Sequence, residues 1–210
     1  MLTLEQLKEM LDLQEKLEVH IAGEDWRNAN HDYALCIHME CAEVIDKYGW
    51  KHWKNLPDRA QNADAIAMEL VDVWHFVMAF MLTFDDFSAE FMHSQLLAAE
   101  SEYENEPEKT MVQYCIGMGY SMFAMTQFPY GNFVGAMDKI GMSFDMLYIL
   151  YVSKNILNLF RQDHGYKDGT YHKYWSGRED DEHLHEIRNQ LGNDFNAERL
   201  YALLENRYTG

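Results

Sequence analysis

Glu40-Cys41-Ala42-Glu43 and Glu69-Leu70-Val71-Asp72 each set two carboxylates three positions apart, a spacing that turns both acids to one face of an α-helix. Glu69 and Asp72 lie in the run AIAMELVDVWHFVMAFMLTF, residues 65–84, where His75 is the only other ionisable group. Carboxylates on so apolar a helix are costly to bury without compensating positive charge. Two like charges about 5 Å apart repel by roughly 3 kcal/mol at an effective dielectric near 20, so four converging acids need cations. Hard divalent ions that prefer oxygen ligands, Mg2+ above all and two or more of them, are the natural counter-charge for Glu40, Glu43, Glu69 and Asp72. A single Glu-x-x-Glu is usually a solvated helix face. Here Glu40 and Glu43 are flanked by Cys36, Ile37, Val44 and Ile45, and a second pair follows on a more apolar helix. A di-iron carboxylate bundle, which uses Glu-x-x-His on two helices, is the rival metal reading, and Asp72-Val73-Trp74-His75 has an acid-x-x-His of that form.

A second cluster carries the opposite sign. Residues 154–178 hold Lys154, Arg161, Lys167, Lys173 and Arg178 against only Asp163 and Asp168, in a chain of net charge −18. On a helix Lys154, Asn158 and Arg161 share a narrow arc, and Tyr166, Tyr171 and Tyr174 interleave with the later cations. Arginine forks, lysine point charges and an asparagine suit a polyphosphate. The alternative is a surface patch that balances acidic neighbours. Taken with the carboxylates, the cluster suggests a nucleotide held between them, with metal ions bridging acid and phosphate oxygens. Gly117-Met118-Gly119 lacks a preceding strand and a third glycine, so close helix packing explains it better than a phosphate loop.

These residues need elements to position them, and the chain reads as helices throughout. It has 210 residues, 48% of them apolar, 14 methionines and three prolines, a composition for one substantial helical core. One domain spanning 1–210 is expected. Thr3 with Gln6 opens the first helix as a capping box, and 23–31 is a polar loop. The second helix covers about 32–48 and stops at Gly49. A connector rich in aromatic and basic residues, 50–56, follows. Pro57-Asp58 reads as a start signal for a third helix over about 58–84. Asp85-Asp86 caps a fourth over 87–103, and Pro107 opens a fifth near Glu108 that runs to about Gln127. FPYGN, 128–132, is a turn before a short helix at 133–140, and Ser143 begins another that ends near His164. Residues 165–177 form a functional loop, and helices near 179–190 and 194–206 complete an all-α helical bundle.

Charge and cysteine usage narrow the function classes. The acidic balance argues against nonspecific nucleic-acid binding, which needs basic partners for phosphate. Cys36, Cys41 and Cys115 show no zinc spacing and leave an odd count, which fits a reduced cytoplasm. The 65–84 run is long enough to span a membrane, but its three ionisable groups make a buried core helix the better reading, with no membrane partner.

The segments MECAEVIDKYGWKHWKN (39–55), MELVDVWHF (68–76) and SKNILNLFRQDHGYKDGTYHKYWSGRED (153–180) resemble the dimeric, all-α dUTP pyrophosphatases of phages, bacteria and kinetoplastids. The resemblance implies Mg2+-dependent hydrolysis of dUTP to dUMP and pyrophosphate by a homodimer with a rigid core and a mobile lobe. It implies metal ligation by Glu40, Glu43, Glu69 and Asp72, with Glu40 or Glu43 helping to deprotonate the attacking water. Lys154, Asn158, Arg161, Tyr166, Lys167 and Lys173 take the place of phosphate and sugar ligands, and Gln14 that of a glutamine reading the uracil edge. Trp53, His75 and Phe76 correspond to residues near base and sugar. One position departs: the family often has asparagine four residues after that glutamine, and here it is Glu18. A carboxylate only accepts hydrogen bonds, so a base edge presenting an amine, as in dCTP, stays open beside dUTP. A nucleotide-binding regulator is the reading from another class.

Overall fold

A computed structural model describes residues 1–104, 109–125 and 127–208. Helix α1 (Leu4–Ala22) begins with the expected reciprocal cap: Thr3 Oγ1 accepts from the Gln6 amide, and Gln6 Oε1 accepts from the Thr3 amide. Its polar connection to α2 (Tyr33–Tyr48) is less polar than its composition suggested. A 3-10 turn at Trp26–Asn28 buries Trp26, which packs edge-on against Tyr33 in a small satellite core.

Helix α3 (Ala63–Leu82) starts five residues later than expected, because Asp58 is used otherwise. Its Oδ1 accepts from the Ala60 amide and holds residues 58–62 in turns, ahead of the helix. Helix α4 is Ala89–Glu104, introduced by the Ser88 hydroxyl on the Phe91 amide rather than by Asp85-Asp86. The start expected at Pro107 and Glu108 lies outside the described residues. Within them α5 (Met111–Met125) carries a second capping box, Thr110 with Gln113. FPYGN is only half a turn, since α6 (Tyr130–Asp138) begins inside it after Pro129. Helix α7 (Phe144–Asp163) opens where Ser143 caps Met146. The segment 165–177 runs through turns into a two-residue hairpin, β1 (Tyr174–Trp175) against β2 (Arg178–Glu179), followed by α8 (Asp180–Leu191) and α9 (Ala197–Arg207). The architecture is all-α apart from that hairpin.

One apolar core draws side chains from all of these helices. Helix α2 lies on α3 and α5, α1 and α3 both pack on α7, and α9 covers the far side of α7. Helix α5 requires glycine on two sides: a Cβ on Gly119 would come within 2.4 Å of His38 Nδ1 on α2, and one on Gly117 within 2.2 Å of Asn132 Nδ2 on α6. By length and composition α3 could cross a membrane, yet Leu70, Val73, Trp74 and Val77 are fully buried here. Two acidic residues of that core helix are left facing a cleft.

Candidate active-site cleft

Helices α2 and α3 run side by side, so the acidic faces of the two motifs meet. Ligand oxygens of Glu40, Glu43 and Glu69 lie within 4.8 Å of one another. Burial is the first cause, and the charge of Asp72 the second, that pushes the Glu40 carboxyl up to about 8; Glu43 and Glu69 add to it. Burial and then Asp72 likewise raise Glu69 to about 7, with Lys47 opposing. Protons or cations must occupy such a trio near neutrality. An all-oxygen donor set of high charge density fits a hard divalent ion such as Mg2+. Asp72 stands outside the trio, in an ion pair with Lys154 at 3.1 Å.

Two cavities meet at Asp72. The larger, about 640 Å3, is bounded by Glu43, Glu69, Asp72, Lys154, Lys173 and Arg178, among others. The smaller, about 190 Å3, is lined by Gln14, Glu18, His75, Phe76, Asn158, Arg161 and Tyr166 with the apolar Leu17 and Ile21. Lys154 therefore faces the first space, whereas Asn158 and Arg161, one and two turns on, face the second.

The cations are already partnered. Lys154 Nζ sits between Asp72 and Asp181, 3.1 and 3.2 Å away. Burial lowers its pKa, but the two carboxylates outweigh burial and hold the ammonium above its usual value. Arg161 makes a fork to Asp180, 2.8 and 2.9 Å, and reaches Asp181 and Asn158 at 3.1 Å. Asp180 is fully buried and also accepts from Tyr171 at 2.8 Å. Asp180 and Asp181 were missed in the sequence. The sign reversal was read over 154–178, and the compensating run Glu179-Asp180-Asp181-Glu182 begins one residue later.

The remaining site residues separate. Tyr166 is exposed with its ring 6.0 Å from the Arg161 guanidinium. Lys173 borders the larger cavity and lies 3.8 Å from Glu179. Lys167 is turned to the end of α1, where it donates to the Ile21 carbonyl at 2.7 Å. Trp53 lies in the exposed connector, edge-on to Trp50 and His52, and borders neither cavity.

His75 is buried and stacks on Tyr151 at 4.2 Å. Burial lowers its pKa to about 4, so the ring is neutral. With Nδ1–H donated to the Val71 carbonyl at 2.9 Å, Nε2 is an acceptor, and it has no partner among the described residues. Gln14 Oε1 accepts from Tyr151, and its Nε2 donates to Glu18, which also accepts from Tyr33. Burial raises the Glu18 carboxyl, with Gln14 and Tyr33 acting against it.

A family model described as dUTPase matches residues 6–166. No curated protein matches the chain. The matched span covers α1 through α7 and with them the four acids, Gln14, Lys154, Asn158, Arg161 and Tyr166; Asp180 and Asp181 lie beyond it.

Proposed function

Since this chain belongs to the dUTPase family, we propose that its cleft hydrolyses dUTP to dUMP and pyrophosphate with Mg2+ held by Glu40, Glu43, Glu69 and Asp72. The meeting of the two cavities at Asp72 carries this reading, because it sets a charged space for a triphosphate beside a small pocket with the Gln14 amide at its wall for a base. Bound Mg2+ supplies neutralisation of phosphate charge and Lewis-acid activation of water. Glu40, whose carboxyl burial and the neighbouring acids push up to about 8, takes the proton of the attacking water at a carboxylate oxygen. Lys154 and Lys173 face the phosphates, and Arg161, Asn158 and Tyr166 close the side between phosphate and base. His75 Nε2, an acceptor without a protein partner, takes a sugar hydroxyl. Phe76 and Leu17 give the base its apolar wall. The free cysteines Cys36, Cys41 and Cys115 support action in the cytoplasm.

The direct test is pyrophosphate release from dUTP, dCTP, dTTP and UTP with and without Mg2+. Preferential release from dUTP, lost on chelation, is expected. A preference for dCTP would move the specificity, and turnover indifferent to Mg2+ would overturn the metal assignment.

Metal binding also has a signed pH dependence. Between the ordinary carboxyl value of 4.5 and about 8, Glu40 and Glu69 bind more protons in the folded than in the unfolded chain. Their contribution to the stability of the metal-free protein is therefore full below 4.5 and is lost as pH rises through about 7 and about 8. Mg2+ binds the ionised trio, so the rise in Tm on adding it should be larger at about pH 8.5 than at about pH 6. An equal rise at both would contradict the trio as its site.

For the proposed homodimer, the α2–α5 face is the interface this reading favours. Leu35 and Met39 on α2, and Ile116, Tyr120 and Phe123 on α5, are exposed. The two rows adjoin where His38 meets Phe123, with ring centroids 5.2 Å apart. So many large apolar groups on one face support burial in an interface. Ile116→Glu with Tyr120→Glu should yield a monomer in sedimentation velocity, and a dimer unchanged in affinity would put the interface elsewhere.

A further inference from the structure

Helix α1 brings Gln14 and Glu18 together one turn apart at the wall of the smaller cavity, both nearly inaccessible. Two tyrosines from other elements stand behind them: Tyr151 of α7 at the Gln14 carbonyl oxygen, 2.8 Å, and Tyr33 of α2 at Glu18 Oε2, 3.0 Å. Gln14 Nε2 donates to Glu18 Oε1 at 2.9 Å. Each end of the amide is thus used once by the protein. One N–H and one lone pair remain, in a set order.

We propose that Glu18 is a positioning residue that locks the Gln14 amide in one orientation and so makes the pocket prefer uracil over cytosine. The proposal rests on Gln14 facing the base, as in the reading above. The logic follows from the inventory of donors. Tyr151 tolerates either orientation of the amide, because its hydroxyl is also 3.0 Å from the Met10 carbonyl and can donate there while accepting from an amide N–H. An ionised Glu18 tolerates one only. It has no proton to give, so a flipped amide would set Gln14 Oε1 against a carboxylate oxygen, two acceptors facing each other at a contact between nearly inaccessible side chains. Tyr33 ties down the other carboxylate oxygen, which keeps Glu18 from swinging away.

In the locked sense the amide offers a donor and an acceptor that match uracil O4 and N3–H. Cytosine in the same pose presents an amine to the donor and a bare N3 to the acceptor. Both contacts fail, and only an amide flip would repair them. Thymine has the same O4 and N3–H as uracil, so the lock does not separate those two bases.

That difference gives a readout which a merely structural role for Glu18 would not move. Glu18→Gln can face Gln14 with either its amine or its carbonyl, so both amide orientations become available. The ratio of kcat/KM for dCTP to that for dUTP should rise about tenfold or more, while the ratio of dTTP to dUTP stays as in the wild type. Tyr33→Phe, isosteric and without the Glu18 tether, should shift the dCTP ratio the same way by a smaller factor, and it decides the matter if Glu18→Gln does not fold. Wild-type dCTP ratios in both variants, or equal shifts for dCTP and dTTP, would overturn the lock. Gln14→Ala separates this failure from that of the underlying reading: a preference for dUTP undiminished in that variant would show that Gln14 does not face the base.

Discussion

Glu43→Ala is expected to lower dUTP turnover by roughly a thousandfold, about 4 kcal/mol of transition-state stabilisation, with the helical circular dichroism unchanged. Glu43 is the exposed member of the carboxylate trio, so its removal takes little from the core. Its place within 4.8 Å of Glu40 and Glu69 is the ground for expecting it to ligate the proposed divalent ion. The same substitution carries a second, opposite sign. Glu43 helps to raise the Glu40 carboxyl, so without it the metal-free protein should lose less stability as pH rises from 4.5 to about 8. Lower activity combined with a more stable apo form at alkaline pH is the signature of an acid kept for its ligand. Turnover within a few-fold of wild type would remove Glu43 from the site.

Arg161→Ala should be the most damaging single change to the fold among the basic residues, at about 3–5 kcal/mol, or a fall in Tm of roughly 6–20 °C. The arginine side chain is 11% exposed and Asp180 is fully buried. Truncation leaves that carboxylate with the Tyr171 hydroxyl as its remaining side-chain donor. Activity lost in Arg161→Ala would therefore mix the proposed phosphate contact with a loosened junction between α7 and α8. Adding Asp180→Asn removes the stranded charge, and the double variant should regain part of the lost Tm. A double variant no more stable than Arg161→Ala would show that the pair contributes through packing and not through charge.

Helical class, caps and the two acidic faces could be read directly, because each depends on residues within about one turn of one another. Thr3–Gln6 and Ser143 cap as their spacing requires. Glu40 with Glu43, and Glu69 within the apolar run, turn to the side that their three-residue spacing dictates. Local patterns failed where another demand on the same residues prevailed, a tighter local turn in one case and a distant core in the other. Asp58 spends its carboxylate on a turn, and α3 waits until Ala63. Pro129 precedes a helix instead of ending a turn because Tyr130 and Phe133 are drawn into the core beside Trp74.

The site divides along the same line. Residue types and periodicity announce that acids and cations exist and which way each helix presents them. They are silent on which charge is already neutralised, because Lys154 and Arg161 meet Asp181 and Asp180, 27 and 19 positions on, only once turn, hairpin and helix fold back on α7. The role of Glu18 is the sharpest case. Its spacing from Gln14 is visible in α1, but the hydroxyls that tie the pair come from α2 and α7. A hydrogen bond depends on ångström distances between groups far apart in the chain, and only packing of the three helices brings those groups within reach.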